Sequence, residues 1–258
     1  AYVSRTAIAV LAFCALSGAV YAFNDVRDAL SDRAHPTKRR RPIASGALAE
    51  RTALVWAGLL AAAALAACLA LRWQLAAIAA GYLAQNVAYS VGLKRVAFVD
   101  IALIASGFLL RVLAGAAAIG VPVSSWILIC TPLLALFLAC GKRAHELAWA
   151  EQSGRADTTR AALAGYRAGT LRVAMLGLAV LTCATYVAYT LDDRTVRQFK
   201  TDRLVYSSPF VLLGIVRFLM LAIWRPTEDS PTEAMLKDPW FLVDLALAAA
   251  TILYVIYA

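Results

Sequence analysis

Charged residues are scarce in this chain. Asp, Glu, Lys and Arg make up 16% of its 258 residues and hydrophobic residues make up 62%, whereas a soluble domain is typically about 25% charged and about 45–50% apolar. The mean hydropathy is +0.71. This leaves too little polar surface to cover a water-soluble globule of such a size. The composition therefore excludes an ordinary soluble domain and predicts a membrane protein.

Cysteine and histidine patterns typical of metal sites are also missing. No CxxC pair and no HExxH motif occurs, which argues against a zinc site and a disulfide framework. The cysteines fall in or beside apolar runs, where we expect them to act as small buried hydrophobes: Cys14, Cys68, Cys130, Cys140 and Cys183. For the two histidines, His35 and His145, we favour structural roles over catalytic ones.

Long apolar runs dominate what remains. A bilayer crossing needs about 20 apolar residues, and eight stretches qualify: 4–23, 52–71, 74–91, 99–119, 124–140, 170–190, 204–224 and 240–257. They are rich in Ala and Leu and do not alternate with period two, which favours helices over strands. We predict an all-α polytopic membrane bundle of eight helices, forming one domain over 1–258.

The connecting segments differ in their content of Lys and Arg, which sets orientation. The connections after the first, third, fifth and seventh runs hold 16 of the 25 Lys and Arg residues, and the opposite side holds six. This bias predicts that the long loops 24–51 and 141–169 are cytoplasmic. The net charge of +9 therefore reflects topology, and nucleic acid is not an expected partner.

The end of the first run contains oxygen-bearing side chains at helical spacing. Asn24, Asp25, Asp28 and Asp32 fall on one arc about 100° wide if the helix continues. Carboxylates crowded in this way repel one another unless a cation lies among them. Hard oxygen ligands, completed by substrate phosphates, are those that Mg²⁺ prefers. The alternative is a solvated helix end in which the acids pair with Arg27 and Arg33.

Four consecutive cations, Lys38 to Arg41, follow this acidic segment. By itself, a basic run at a membrane face contacts lipid headgroups or sets topology. Beside an acidic metal site, it favours a polyphosphate clamp in which the metal neutralises some oxygens and Lys and Arg the others.

The motifs resemble a known family. NDVRDALSD at 24–32 and HPTKRRRPIASG at 35–46 resemble the NDxxDxxxD motif and RPxxxG extension of the UbiA superfamily of intramembrane transferases. YSVGLKR at 89–95 resembles the YxxxLKR segment of that family. GKRAHEL at 141–147 and SPTE at 230–233 are similar to segments of one branch, the decaprenyl-phosphate phosphoribosyltransferases.

This resemblance implies a fold, a reaction and a place in the cell. The family has nine transmembrane helices, and its first, with an RPxQWxKN segment, has no counterpart here; because the chain opens at Ala1, we expect that helix to be missing. The implied reaction is Mg²⁺-dependent transfer of 5-phosphoribose from phosphoribosyl diphosphate (PRPP) to a polyprenyl phosphate at the plasma membrane. Diphosphate is released, and the product serves cell-wall arabinan synthesis.

The same resemblance assigns roles to residues of this chain. The expected catalytic carboxylates are Asp25, Asp28 and Asp32, and the expected magnesium ligands are Asn24 and Asp28. The expected substrate-binding residues are Tyr21, Lys38, Arg39, Arg41, Lys94, Arg111, Lys142, Arg143 and Glu146. For Tyr21 a plain core role stays open, and for Arg111 a structural ion pair with Asp100. For Arg217 and Asp244 we favour helix-packing or interfacial roles.

Two other functions stay open. Aromatic prenyltransferases of the superfamily carry a second acidic motif, DxxxD, in the segment matching 141–169, and this chain has Lys142 and Arg143 there instead. Cations in place of carboxylates suit a second anionic substrate, so we favour the phosphoribosyltransferase over the prenyltransferase. A membrane transporter without transferase activity is the third hypothesis. The sequence also leaves open a homo-oligomer.

Overall fold

The computed structural model describes residues 2–34, 38–152, 163, 165–223 and 230–257, and these form ten α-helices with no strand among them. The all-α prediction is therefore confirmed. Close contacts divide the chain into two compact units, Ala1–Val123 and Ser124–Ala258. The single domain expected over 1–258 stays a prediction.

Each unit is a sequence of helices. Unit 1 contains α1 (Tyr2–Ala34), α2 (Glu50–Leu71), α3 (Trp73–Val91) and α4 (Val99–Ile119), with 3₁₀ turns at Lys38–Arg40 and Leu93–Arg95. Unit 2 contains α5 (Ser125–Gln152), α6 (Ala168–Leu191), α7 (Asp193–Phe199), α8 (Ser208–Ile223), α9 (Pro231–Lys237) and α10 (Pro239–Tyr257), with a 3₁₀ turn at Arg203–Ser207.

Most of the long helices have the length and composition of membrane spans. Within the described residues, seven segments are long and apolar enough to cross a bilayer, which agrees with a multi-pass membrane protein. They match seven of the eight predicted runs. The remaining run, 74–91, corresponds to α3, which has 19 residues but is less apolar because it contains Gln74, Gln85 and Asn86.

Two helices continue beyond the predicted spans, which corrects the interpretation of 24–51 and 141–169 as loops throughout. The first span was predicted to end at residue 23, but α1 extends to Ala34. The fifth was predicted to end at residue 140, but α5 extends to Gln152. Polar residues end these two apolar runs but do not end the helices, because the backbone hydrogen bonds of a helix are internal. Residues 153–162 lie outside the described residues.

Small residues pack the helices of unit 1. The buried cluster joins all four helices and consists of Ala9, Ala12, Leu16, Val20, Ala64, Cys68, Leu75, Ala79, Tyr82, Ala114 and Ala118. Alanine at such positions lets helix backbones approach closely, which is the usual basis of packing where lipid removes the hydrophobic drive. The close packing fixes α1 against its neighbours and so positions the polar face that follows residue 23.

In unit 2, α5 and α8 meet at a glycine. A Cβ at Gly141 would lie 2.3 Å from Cε1 of Phe218, closer than real atoms approach. The Phe218 ring packs on Phe137, with ring centroids 5.0 Å apart. The fit holds the segment of α5 that begins at Gly141 and carries the cationic motif.

Candidate functional site

A buried lysine joins the asparagine and the central aspartate of α1. The Lys94 ammonium donates to Oδ1 of Asn24 at 2.9 Å and to Oδ1 of Asp28 at 2.5 Å. The Asn24 amide donates to the other Asp28 oxygen at 3.0 Å. Lys94 lies in the turn after α3 and is only 6% exposed. Two oxygen atoms from successive turns of α1 thus converge on one positive charge.

The two remaining aspartates of α1 share an arginine. One Arg41 nitrogen, Nη1, donates to Asp25 at 2.8 Å and to Asp32 at 2.9 Å. Asp32 is buried and Arg41 is partly exposed. The predicted common face of the four polar side chains is therefore present. This face is divided between two cations, Lys94 and Arg41. The predicted pairing of the acids with Arg33 is wrong, because Arg33 binds Glu50 and the carbonyl of Ala44 instead.

A compact turn brings Arg41 back over α1. The amide of Arg41 donates to the carbonyl of Lys38 at 2.9 Å, and the amide of Ser45 donates to the carbonyl of Arg41 at 2.8 Å. Gly46 has a φ of +83°, a left-handed conformation that glycine adopts without strain. Lys38 and Arg39 are exposed at the start of this turn. His35 lies outside the described residues.

The donor chemistry fits a divalent cation at only part of the predicted set. Across the described ranges, no group of three or more His, Cys, Asp and Glu side chains is arranged to hold a metal ion. Asn24 and Asp28 nevertheless aim two hard oxygens at one point, now taken by Lys94. Mg²⁺ is commonly bound by one or two carboxylates together with substrate phosphates and water, so this pair fits a magnesium ion that a diphosphate completes.

Two predicted substrate-binding residues, Tyr21 and Arg111, lie within separate apolar runs and have different surroundings. Tyr21 is 67% exposed, so the core role left open for it is wrong. Arg111 donates to the Tyr82 hydroxyl at 2.7 Å, and its guanidinium lies 5.2 Å from the Tyr82 ring and 5.5 Å from the Phe108 ring. Sequence reasoning missed Tyr82 because a tyrosine inside an apolar run does not reveal its partner 29 residues away.

In unit 2 the predicted cationic motif lies on the last turns of α5. Arg143 is 1% exposed and donates through Nη1 to the Glu146 carboxylate one turn further along. Lys142, its neighbour in sequence, is exposed, because adjacent helical residues point in different directions. His145 is buried on the same helix. The predicted substrate-binding residues of this motif therefore divide into one exposed cation, Lys142, and one ion pair between buried Arg143 and partly exposed Glu146.

An ion pair also connects α8 to the start of α10. Arg217 donates through Nε to Asp238 at 3.1 Å, and Asp238 accepts from the amide of Phe241 at 2.9 Å. The hydrogen bond from Arg217 holds the pKa of Asp238 below its ordinary value. Asp244 lies against Gly214 of α8. Both contacts agree with the packing roles favoured for Arg217 and Asp244.

Comparison with known proteins identifies the class that this helical fold and polar site define. Residues 2–191 match the model of the UbiA prenyltransferase family, and the chain belongs to that family. The matched region contains all of unit 1 with its Asn24–Asp28 pair, and α5 and α6 of unit 2.

The names of similar proteins are more specific than the family. The chain is 40% identical over 191 residues to a protein named decaprenyl-phosphate phosphoribosyltransferase from Mycolicibacterium smegmatis, an alignment that covers 73% of this chain and 59% of that relative. It is 38% identical over 244 residues to a protein of the same name from Mycobacterium tuberculosis, covering 91% of this chain and 76% of the relative. The chain thus spans less than two thirds of the first relative.

Solved structures share the fold. A UbiA homolog from Archaeoglobus fulgidus bound to GPP and Mg²⁺ superposes with a TM-score of 0.72, covering 98% of this chain and 88% of that one, at 17% sequence identity. The same homolog bound to DMAPP and Mg²⁺ gives a TM-score of 0.71. At this identity the likeness establishes the helical architecture and no more.

Proposed function

We propose that the protein transfers 5-phosphoribose from PRPP to a polyprenyl phosphate and releases diphosphate. The observation that carries this proposal is the convergence of Asn24 and Asp28 oxygens on one positive charge, next to carboxylates bridged by Arg41. Such an alternation of carboxylates and cations suits a diphosphate and its divalent metal. The names of the mycobacterial relatives supply the substrate class, decaprenyl phosphate.

The reaction requires no protein general base. A polyprenyl phosphate is an anion near neutral pH, so one of its oxygens can attack C1 of PRPP while the bond from C1 to the diphosphate oxygen breaks. The electron pair of that bond leaves with the diphosphate. Attack from the side opposite the leaving group converts the α-configured donor into a β-linked product. The protein contributes orientation and charge neutralisation.

Each of the polar groups on α1 then has a task. Asn24 and Asp28 would hold Mg²⁺, which would supply positive charge to a departing diphosphate. Asp25 and Asp32 hold Arg41 over the same helix, where its partly exposed guanidinium can contact phosphate oxygens. Lys38 and Arg39 extend this positive surface along the exposed turn.

Each unit also holds cations that lie outside the acidic face of α1 and suit a phosphate, and we assign each of them a substrate-binding role within its own unit. Lys142 is exposed and suits direct binding of an anion, whereas buried Arg143 is held by Glu146 and orients the same turn. Arg111 presents a guanidinium braced by two aromatic rings. No DxxxD motif occurs in 141–169, which favours a phosphate over a second metal-bound diphosphate there.

We further propose that the active site faces the cytoplasm of a cell whose plasma membrane holds the protein. The support is the asymmetry of Lys and Arg, 16 against six. In this orientation the polar end of α1 meets water on the side where PRPP, a soluble phosphosugar, is made. The lipid acceptor reaches the same level from the bilayer.

One assay tests the proposed activity. The purified protein in detergent is given radiolabelled PRPP, a polyprenyl phosphate and Mg²⁺, and organic extraction follows the label into lipid. We expect lipid-linked phosphoribose from the parent and none when Mg²⁺ is chelated. The matched control is Asp193→Asn, which removes an exposed carboxylate of α7 and is expected to retain activity. Consumption of GPP with an aromatic acid, and no labelled lipid, would show a prenyltransferase instead.

A further inference from the structure

Lys94 has an unusual position for a phosphate-binding lysine. The residue is 6% exposed, and its ammonium lies between Asn24 and Asp28, the two residues that fit a magnesium ion. The oxygens that would face the metal are therefore the same oxygens that face the lysine. One point in space cannot hold a protonated ammonium and a divalent cation at once.

We propose that Lys94 is an internal counter-ion that competes with the divalent metal for Asn24 and Asp28, and that an anionic substrate relieves the competition. In the ligand-free protein the ammonium neutralises Asp28. With metal and diphosphate bound together, Asn24 and Asp28 would hold the metal through their side-chain oxygens, and the Lys94 ammonium would move to a phosphate oxygen. Lys94 is thus a positioning residue that makes metal loading depend on substrate.

Electrostatics favour this exchange over simple addition. A buried ammonium without a partner is strongly unfavourable, so metal alone, by displacing Lys94 from Asp28, would leave a positive charge uncompensated beside a second one. A diphosphate supplies the missing negative charge. The binding of metal and the binding of diphosphate must then strengthen each other by the same factor.

The position of Lys94 on the chain allows the movement. It lies in the 3₁₀ turn Leu93–Arg95, between α3 and α4, rather than within a long helix. A lysine carries its ammonium on a flexible chain of four carbons, so the charged end can shift by several ångströms while the backbone stays fixed. Asn24 and Asp28 are on α1, so they keep their spacing whichever cation they hold.

Metal affinity measured without substrate tests the inference. Mn²⁺ is titrated into detergent-purified protein, and the free ion is followed by electron paramagnetic resonance. We expect Lys94→Met to bind Mn²⁺ about tenfold more tightly than the parent, because the competing charge is gone. The matched control is Arg95→Met, which removes the adjacent, exposed cation and should leave the affinity unchanged. Equal or weaker binding by Lys94→Met would overturn the inference.

Two further measurements locate the effect. In a Lys94→Met/Asp28→Asn double variant the gain should disappear, whereas a gain that persists would place the Mn²⁺ elsewhere and contradict the inference. In the parent, reductive methylation followed by mass spectrometry reports the exposure of each lysine. Saturating Mg²⁺ together with diphosphate should change the labelling rate of Lys94 relative to Lys200, and no change would argue against displacement even if the variants were to misfold.

This inference rests on the proposed function for its diphosphate, but its test does not. If no phosphoribose reaches lipid and Lys94→Met still gains Mn²⁺ affinity, the proposed reaction fails and the counter-ion role stands. If labelled lipid forms and the affinity is unchanged, the counter-ion role fails alone.

Discussion

The acidic face of unit 1 and the cationic motif of unit 2 hold their charged groups in different ways. In unit 1, Asp28 pairs with Lys94, which lies 66 residues further along the chain. Asp25 pairs with Arg41, which lies in the turn that follows α1. In unit 2, Arg143 and Glu146 pair within a single helix turn. Unit 1 therefore needs its tertiary structure to assemble the polar site, whereas this ion pair of unit 2 needs only that α5 be helical.

We expect the largest effect from a substitution that breaks the tertiary ion pairs of unit 1. Asp28→Ala removes one of the two oxygens proposed for the metal and leaves the Lys94 ammonium without its carboxylate. We expect kcat to fall about 10³-fold, the order seen when a preorganised charge-stabilising group is lost. Steady-state transfer of phosphoribose measures it. Ser31→Ala, an exposed change on the same helix, serves as the control. Near-parental turnover by Asp28→Ala would refute the assignment of this site.

The next effect tests the packing beneath the unit 2 motif. Gly141→Ala places a methyl group 2.3 Å from the Phe218 ring, and overpacking of this kind costs about 1–3 kcal/mol. The thermal midpoint in detergent should fall, and Phe218→Leu in the same chain should restore part of it. Gly177→Ala on α6 has open space around its Cβ and should not destabilise. Equal midpoints for the two alanine variants would contradict the close contact.

A smaller effect separates the two cations of unit 2. Lys142→Ala removes an exposed charge and should raise KM for an anionic substrate about tenfold, the scale of one hydrogen bond to a charged group, with no loss of thermal stability. Arg143→Ala removes a buried charge and should lower stability as well, since Glu146 loses its partner. Arg197→Ala, an exposed cation on α7, controls for net charge. A parental KM in Lys142→Ala would remove that residue from the site.

The smallest effect concerns pH. Because the pKa of Asp238 is lowered by Arg217, its contribution to stability is fully present above the unfolded pKa of about 3.9. It is lost as the pH falls through the lower, folded value. The parent should therefore lose thermal stability in acid more steeply than Asp238→Asn, which keeps the acceptor for the amide of Phe241. Parallel pH profiles for the two proteins would show that this pair contributes nothing.

Hydropathy and helical spacing were sufficient for much of this molecule. The apolar runs predicted the long helices, and an arc of 100° predicted that Asn24 and Asp28 share a face, which their 3.0 Å hydrogen bond confirms. Those patterns depend only on the bilayer thickness and the helix pitch. The resemblance of NDVRDALSD to a family motif predicted the family to which the chain belongs.

The partners of the charged groups could not be predicted in the same way. Lys94, Arg41 and Arg111 were all expected to bind phosphate, and in the structure they bind Asp28, Asp25 with Asp32, and Tyr82. Which opposite charge a cation reaches depends on how loops fold back over a helix, and no periodicity encodes it. The same holds for Gly141, whose close neighbour Phe218 comes from another helix.

The unbroken length of α1 has a mechanical consequence. Its 33 residues extend about 50 Å, well beyond the hydrocarbon core of about 30 Å, and no proline interrupts them. The apolar first part of the helix adapts to the thickness of the bilayer by tilting. The polar second part carries Asn24 and Asp28. A change of lipid chain length that alters the tilt of α1 would therefore also shift the level of Asn24 and Asp28, the residues proposed to hold the metal.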